Sequence, residues 1–211
     1  MRALFYIPIV LFTITTTMVV GQNSNKAKEY TSINEALKEP EKVLRLNLSN
    51  QKIIISNEDW TKFTNLEYLN LKGDHLKEIP LAITKIKSLK TIDLSSNDFT
   101  NLPEGFSNLT NLEEIYLNDD QNMNLPKTLL LLSKLPKLKS LHLENDNLST
   151  LPSELMRFKN LESLYLNNNK FKEVPKLETL DHLKYLDLKE NNIKPEFQDL
   201  KNLNFGFKIN F

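Results

Sequence analysis

Residues 66–71 read Leu66-Glu67-Tyr68-Leu69-Asn70-Leu71, and the phrase returns 23 residues later as Leu89-Lys90-Thr91-Ile92-Asp93-Leu94. It recurs at 112–117, 138–143, 161–166 and 183–188, and an earlier copy is Val43-Leu44-Arg45-Leu46-Asn47-Leu48. Successive copies start 23, 23, 23, 26, 23 and 22 residues apart. A period in this range marks a solenoid, because no single unit can bury its own apolar side and stacking does it instead. The fourth and sixth residues of each copy point inward across a short strand. Positions two, three, five, seven and eight then face solvent.

The full pattern, L-x-x-L-x-L-x-x-N-x-L, resembles the leucine-rich repeat family over residues 43–200. The recurring Ile79-Pro80, Leu102-Pro103, Leu125-Pro126, Leu151-Pro152 and Val174-Pro175 are similar to its short bacterial and Ras-related subclass. The resemblance implies an α/β right-handed solenoid, with a short parallel β-sheet on the concave face and short helical or 3₁₀ segments on the convex face. It also implies that position nine lies inside the turn and bonds backbone groups of neighbouring coils. That position holds Gln51, Asp74, Asn97, Asp120, Asp146, Asn169 and Asn191. Three are Asp, which accepts but does not donate when ionised, so the ladder is expected to be incomplete.

Open solenoid ends need caps. Ser32-Ile33-Asn34-Glu35 reads as a capping box, predicting a cap helix over residues 32–38 behind a polar, loose segment at 22–31. At the other end Leu203, Phe205, Phe207, Ile209 and Phe211 alternate with polar or small residues, predicting a capping strand within 201–211. The first 21 residues carry one charge, Arg2, then an apolar run ending in Val19-Val20-Gly21. This reads as a signal peptide cleaved after Gly21, touching a membrane only before cleavage. The domain plan is therefore signal 1–21, N-terminal segment 22–42, seven repeats over 43–200 and cap 201–211. Export without cysteine favours a bacterial source, since extracellular animal and plant repeat proteins usually close their ends with disulfides. Repeat four is irregular: Asn122 replaces the apolar residue at position eleven, and three extra residues precede Leu138. Its Leu129-Leu130-Leu131-Leu132 is either a longer convex helix packing both ways or an exposed patch for a partner.

Seven strands about 4.8 Å apart make a concave strip of roughly 30 Å. Column two alternates in sign from Glu67 through Lys90, Glu113, Lys139 and Glu162 to Lys184, predicting a ladder of weak exposed pairs. Column five contains Tyr116, His142 and Tyr165, with Tyr185 diagonal to it and Tyr68 alone nearer the start. Tyr116, His142, Tyr165 and Tyr185, flanked by Glu114, Asp119 and Glu144, form the candidate partner-binding cluster. Large side chains with polar tips make good anchors, and the acids suit a partner presenting Lys or Arg.

Chemistry is sparse. The chain has no cysteine, four glycines, and 27 Lys+Arg against 27 Asp+Glu, which leaves no thiol nucleophile, no Gly-rich phosphate loop and no basic stripe for nucleic acid. His142 with Glu114 or Glu144 is the sole candidate base, and no nucleophile elbow or lid accompanies it. Asp119, Asp120, Glu144 and Asp146 are read as turn and ladder residues rather than a calcium site. The expectation is a non-catalytic, exported module with no cofactor or metal, binding a protein through the concave strip. A glycan-binding surface is the first alternative. The second, should the N-terminal segment not be a signal, is a regulator resembling intracellular Ras-associated repeat proteins.

Overall fold

The computed structural model describes residues 27–52, 55–194 and 206–211. The signal-peptide reading, and Leu203 and Phe205 of the C-terminal reading, fall outside these residues.

The strands form one open sheet, β1 to β9 in chain order, every neighbouring pair parallel. They are β1 Glu29–Tyr30, β2 Arg45–Asn47, β3 Tyr68–Asn70, β4 Thr91–Asp93, β5 Glu114–Tyr116, β6 Ser140–His142, β7 Ser163–Tyr165, β8 Tyr185–Asp187 and β9 Lys208–Asn210. Pairing is strictly in register from Leu46↔Leu69 to Leu164↔Leu186, so equivalent side chains stack into columns. The inward residues of β2 to β8 are fully buried. Parallel neighbours need a crossover. Here it is short and convex: α1 Ile33–Ala36, α2 Asn57–Trp60, α3 Leu125–Leu132, and 3₁₀ turns at Leu81–Lys85, Glu104–Asn108 and Ser153–Arg157. Trp60, Phe63, Phe99, Phe106 and Phe171 fill the space between sheet and crossovers.

Each coil turns its corner at position eight with a left-handed residue. Asn50, Gly73, Ser96, Asp119, Asn145, Asn168 and Glu190 all have φ between 52° and 70°. Asn, Asp and Gly tolerate this conformation best, which accounts for most of that column. A second ladder runs along the convex edge, one residue before the first leucine of four copies. The Asn65, Asn111 and Asn160 amides donate to the carbonyls of Glu41, Lys87 and Pro136, and Ser88 to that of Leu66, at 2.7–2.9 Å.

The ends differ from the sequence expectation. Residues 29 and 30 are not loose: they form β1, with Tyr30 opposite Leu46. Ser32 precedes α1, but its side chain makes no capping bond, and the helix is a single turn. In β9, Ile209 pairs with Leu186 and takes the inward place, while Phe211 stays 45% exposed. In repeat four, Asn122 is exposed and its neighbour Met123 packs on the core instead. Asn124 then caps α3, accepting from the Lys127 amide at 3.1 Å. Within α3, Leu129 and Leu132 are buried, Leu131 is half-buried and Leu130 is 43% exposed.

Candidate functional site

The in-register pairing places Asp93, Tyr116, His142, Tyr165 and Asp187 side by side in one solvent-facing column. Strand spacing is close to aromatic stacking distance, so neighbouring rings in a column stack. The Tyr116 and His142 centroids lie 3.8 Å apart with planes 19° apart, and those of His142 and Tyr165 lie 4.0 Å apart at 5°. Tyr185, from β8, meets Tyr165 at 5.4 Å in a tilted contact.

The imidazole edges are held as well. His142 Nε2 lies 3.2 Å from Glu114 Oε1 and Nδ1 lies 3.4 Å from Glu144 Oε2. The Tyr116 hydroxyl donates to Glu114 at 3.0 Å, and the Asn118 amide donates to Glu144 at 2.7 Å. Burial opposes charge on His142, but the hydrogen bonds to and charges of the two glutamates outweigh it, raising its pKa. Reciprocally, the hydrogen bond to His142 lowers the pKa of both Glu114 and Glu144, against their own burial. Burial first, then the Glu114 charge, pushes the Tyr116 phenol upward. The centre is thus an imidazole ring between two tyrosine faces, with a carboxylate at each nitrogen.

His142 therefore differs from its expected role. Its side chain is 8% exposed, both faces are covered and both nitrogens are engaged. It lies stacked between the two tyrosines, bracing both rings. Glu114 and Glu144 are spent largely on that brace. Asp119 is not part of the cluster: it sits in the left-handed turn, where its carboxylate accepts from the Ser96 hydroxyl at 3.3 Å. Tyr185 is tied to the C-terminal cap. Its hydroxyl donates to Asp187 at 3.0 Å and accepts from the Asn210 amide at 3.1 Å. Tyr68 is not alone either, since the Arg45 guanidinium stacks on its ring at 3.9 Å and pairs with Glu29 of β1 at 3.0 Å. Column two is three separate pairs rather than a continuous ladder: Glu67–Lys90 at 2.8 Å, Glu113–Lys139 at 4.0 Å and Glu162–Lys184 at 2.7 Å.

The position-nine ladder supports this face from one edge. The Asn97 side chain accepts from the Leu76 amide and donates to the carbonyls of Leu71 and Leu94. Asn169 accepts from Asp146 and Leu148 and donates to Leu143 and Leu166; Asn191 accepts from Phe171 and donates to Leu166 and Leu188. The aspartates fill only the accepting half. Asp74 takes the Gln51 amide, Asp120 the Asn97 amide and Asp146 the Asp120 amide, at 2.8–2.9 Å. The second carboxyl oxygens of Asp120 and Asp146 are buried without a partner. Burial pushes their pKa values up to about 8 and about 7. Gln51 stands outside the ladder: its exposed side chain donates to the Thr31 carbonyl in the cap. Among the described residues, no group of three or more His, Asp or Glu is arranged to hold a metal ion.

Two family models match the chain, a leucine-rich repeat region over 39–135 and a pair of leucine-rich repeats over 159–207. The chain belongs to the leucine-rich repeat family. No curated protein matches it. Solved structures do. An internalin (inlF) from Listeria monocytogenes is 29% identical at TM-score 0.58, over 76% of this chain and 45% of that one. A second Listeria internalin, internalin C2, is 24% identical at TM-score 0.57, over 82% of this leucine-rich repeat chain and 83% of its own. Toll, solved in complex with Spatzle from Drosophila, is 21% identical at TM-score 0.58, over 70% of this chain and 19% of its own. The chain thus spans less than half of the inlF internalin and about a fifth of Toll. Leucine-rich repeat domains generally serve protein–protein interaction and are typically non-catalytic.

Proposed function

We propose that this leucine-rich repeat protein is an exported, non-catalytic module that binds a protein partner through the concave face of β4 to β8. The observation that carries the reading is the braced column Asp93–Tyr116–His142–Tyr165–Asp187. Rotamer freedom there is already lost in the free protein, so little ordering cost falls on binding. Four carboxylates, Asp93, Glu114, Glu144 and Asp187, flank the single imidazole of His142, so the strip is acidic. Its complement is a protein surface whose Lys or Arg side chains reach the tyrosine hydroxyls and the flanking aspartates.

A glycan is less well matched. Sugar stacking needs an open ring face, and the tyrosine faces toward His142 are already covered. Export is supported by the signal-like composition of residues 1–21, and a bacterial source by the cysteine-free ends and the likeness to the 29% identical internalin.

Cross-linking capture from the source organism, with wild type and the Tyr116→Ala/Tyr165→Ala double variant in parallel, tests the binding face. A protein captured by wild type and lost with the variant, at unchanged circular dichroism, is the expected result. Equal capture by both would move the site elsewhere. Sequencing of the mature N-terminus is expected to begin at Gln22; a chain retaining residues 1–21 would refute export by cleavage.

A further inference from the structure

The convex side carries a hollow that the concave reading does not use. Going from repeat four to repeat seven, the crossovers shrink. The eight-residue α3 lies between β5 and β6, and the five-residue 3₁₀ turn Ser153–Arg157 lies between β6 and β7. Among the described residues, no helix lies between β7 and β8. This step-down leaves a cavity of about 680 Å³ behind the last repeats. Its floor is Leu130, Met156 and Phe158. Its rim carries Lys134, Arg157 and Lys159, with His182 and one carboxylate, Asp181.

The rim brings three cations together against one carboxylate. The whole chain is formally neutral. On the concave side Lys90, Lys139 and Lys184 each meet a glutamate from the adjoining coil. Lys134, Arg157 and Lys159 meet no carboxylate and make no side-chain hydrogen bond among the described residues, and all three are exposed. Three unpaired cations around an apolar floor present a field that a like-charged partner would avoid and an acidic one would seek. Leu130, 43% exposed, adds an apolar surface.

We propose that this convex hollow is a second docking site, taking an acidic peptide segment of a protein partner that seats one or two bulky apolar side chains on Leu130, Met156 and Phe158. The carboxylates of that segment pair with Lys134, Arg157 and Lys159 at the rim. Charge supplies encounter and orientation, and the apolar anchor supplies residence. The site lies on the opposite side of the solenoid from the tyrosine column and does not depend on it.

The probe is a short fluorescein-labelled peptide in which one Phe and one Leu are set among glutamates, followed by anisotropy with the full chain. Saturable binding is expected. It should weaken by roughly tenfold or more in the Lys134→Glu/Arg157→Glu variant, and also in Leu130→Ser, with unchanged circular dichroism. Raised salt should weaken it as well. The proposal is overturned by no saturable binding, by equal binding of an all-glutamate peptide lacking the apolar residues, or by binding undiminished by the charge reversal. A single-stranded oligonucleotide that displaces the peptide at lower concentration would also overturn it, assigning the rim to nucleic acid.

Discussion

Replacing Asp120 and Asp146 by Asn should stabilise this protein. Each keeps one carboxyl oxygen on a neighbouring amide, and each leaves the other oxygen buried and unpartnered. Asn97 and Asn169 show what the place requires, for each donates to the sixth-position carbonyls of its own coil and of the one before. For Asp120 the equivalent carbonyls are those of Leu117 and Leu94, and for Asp146 those of Leu143 and Leu117. An amide there adds two hydrogen bonds at about 1 kcal/mol each, or about 2 kcal/mol per site. The carboxyls also make wild-type stability depend on pH. In the unfolded chain they ionise near ~4, but in the fold burial holds the proton until about 7 in Asp146 and about 8 in Asp120. A folded pKa above the unfolded one means that stability falls as pH rises through that window. A tenfold change in proton affinity corresponds to about 1.4 kcal/mol, so the wild-type loss between pH 5 and 8 should reach several kcal/mol. Urea unfolding at both pH values, on wild type, the single variants and the double variant, measures both effects. The double variant should be the more stable at pH 8, with a flattened pH dependence. A double variant less stable than wild type at pH 8, or an unchanged slope, would show this ladder chemistry to be wrong.

Leu141 is fully buried in β6, so Leu141→Asp should unfold the array in one cooperative step, read as collapse of the circular dichroism signal at ambient temperature. The imidazole of His142 should titrate above its ordinary value by NMR, and Glu114→Gln should bring it down, since one of the two carboxylates that raise it is gone. The same raised pKa should add to acid-side stability, present below pH ~6.5 and lost as pH climbs through the folded value. Asn169→Ala deletes hydrogen bonds to two amides and one carbonyl of the preceding coil and to one carbonyl of its own. It should lower the urea midpoint by an amount corresponding to about 2–4 kcal/mol.

What was legible in the sequence followed the leucines. Their spacing sets the register of β2 to β8 and the identity of each column, because a parallel ladder between equal coils has only one in-register solution. Elements without the leucine phrase were not legible. Glu29–Tyr30 carries no periodic signal, and it becomes a strand because the first repeat presents an open edge. The burial of His142 was missed because column position says that a side chain faces solvent. It does not say that two flanking rings at strand spacing cover it. The same holds for Asp119, whose column reads as concave but whose carboxylate bonds the Ser96 hydroxyl rather than a member of the ring cluster. The convex asparagine ladder had a visible signal, an Asn before the first leucine at 65, 111 and 160, which the leucine alignment passes over. The convex hollow had none, since it arises from a difference in crossover size between repeats.

Hydroxyl-radical footprinting of the chain, free and with its captured partner, addresses the binding face most directly. Oxidation of Tyr116 and Tyr165 should fall on binding, while the exposed convex Leu81 keeps its free-state rate. Protection confined to the convex side, with both tyrosines oxidised as fast as in the free chain, would overturn the concave assignment.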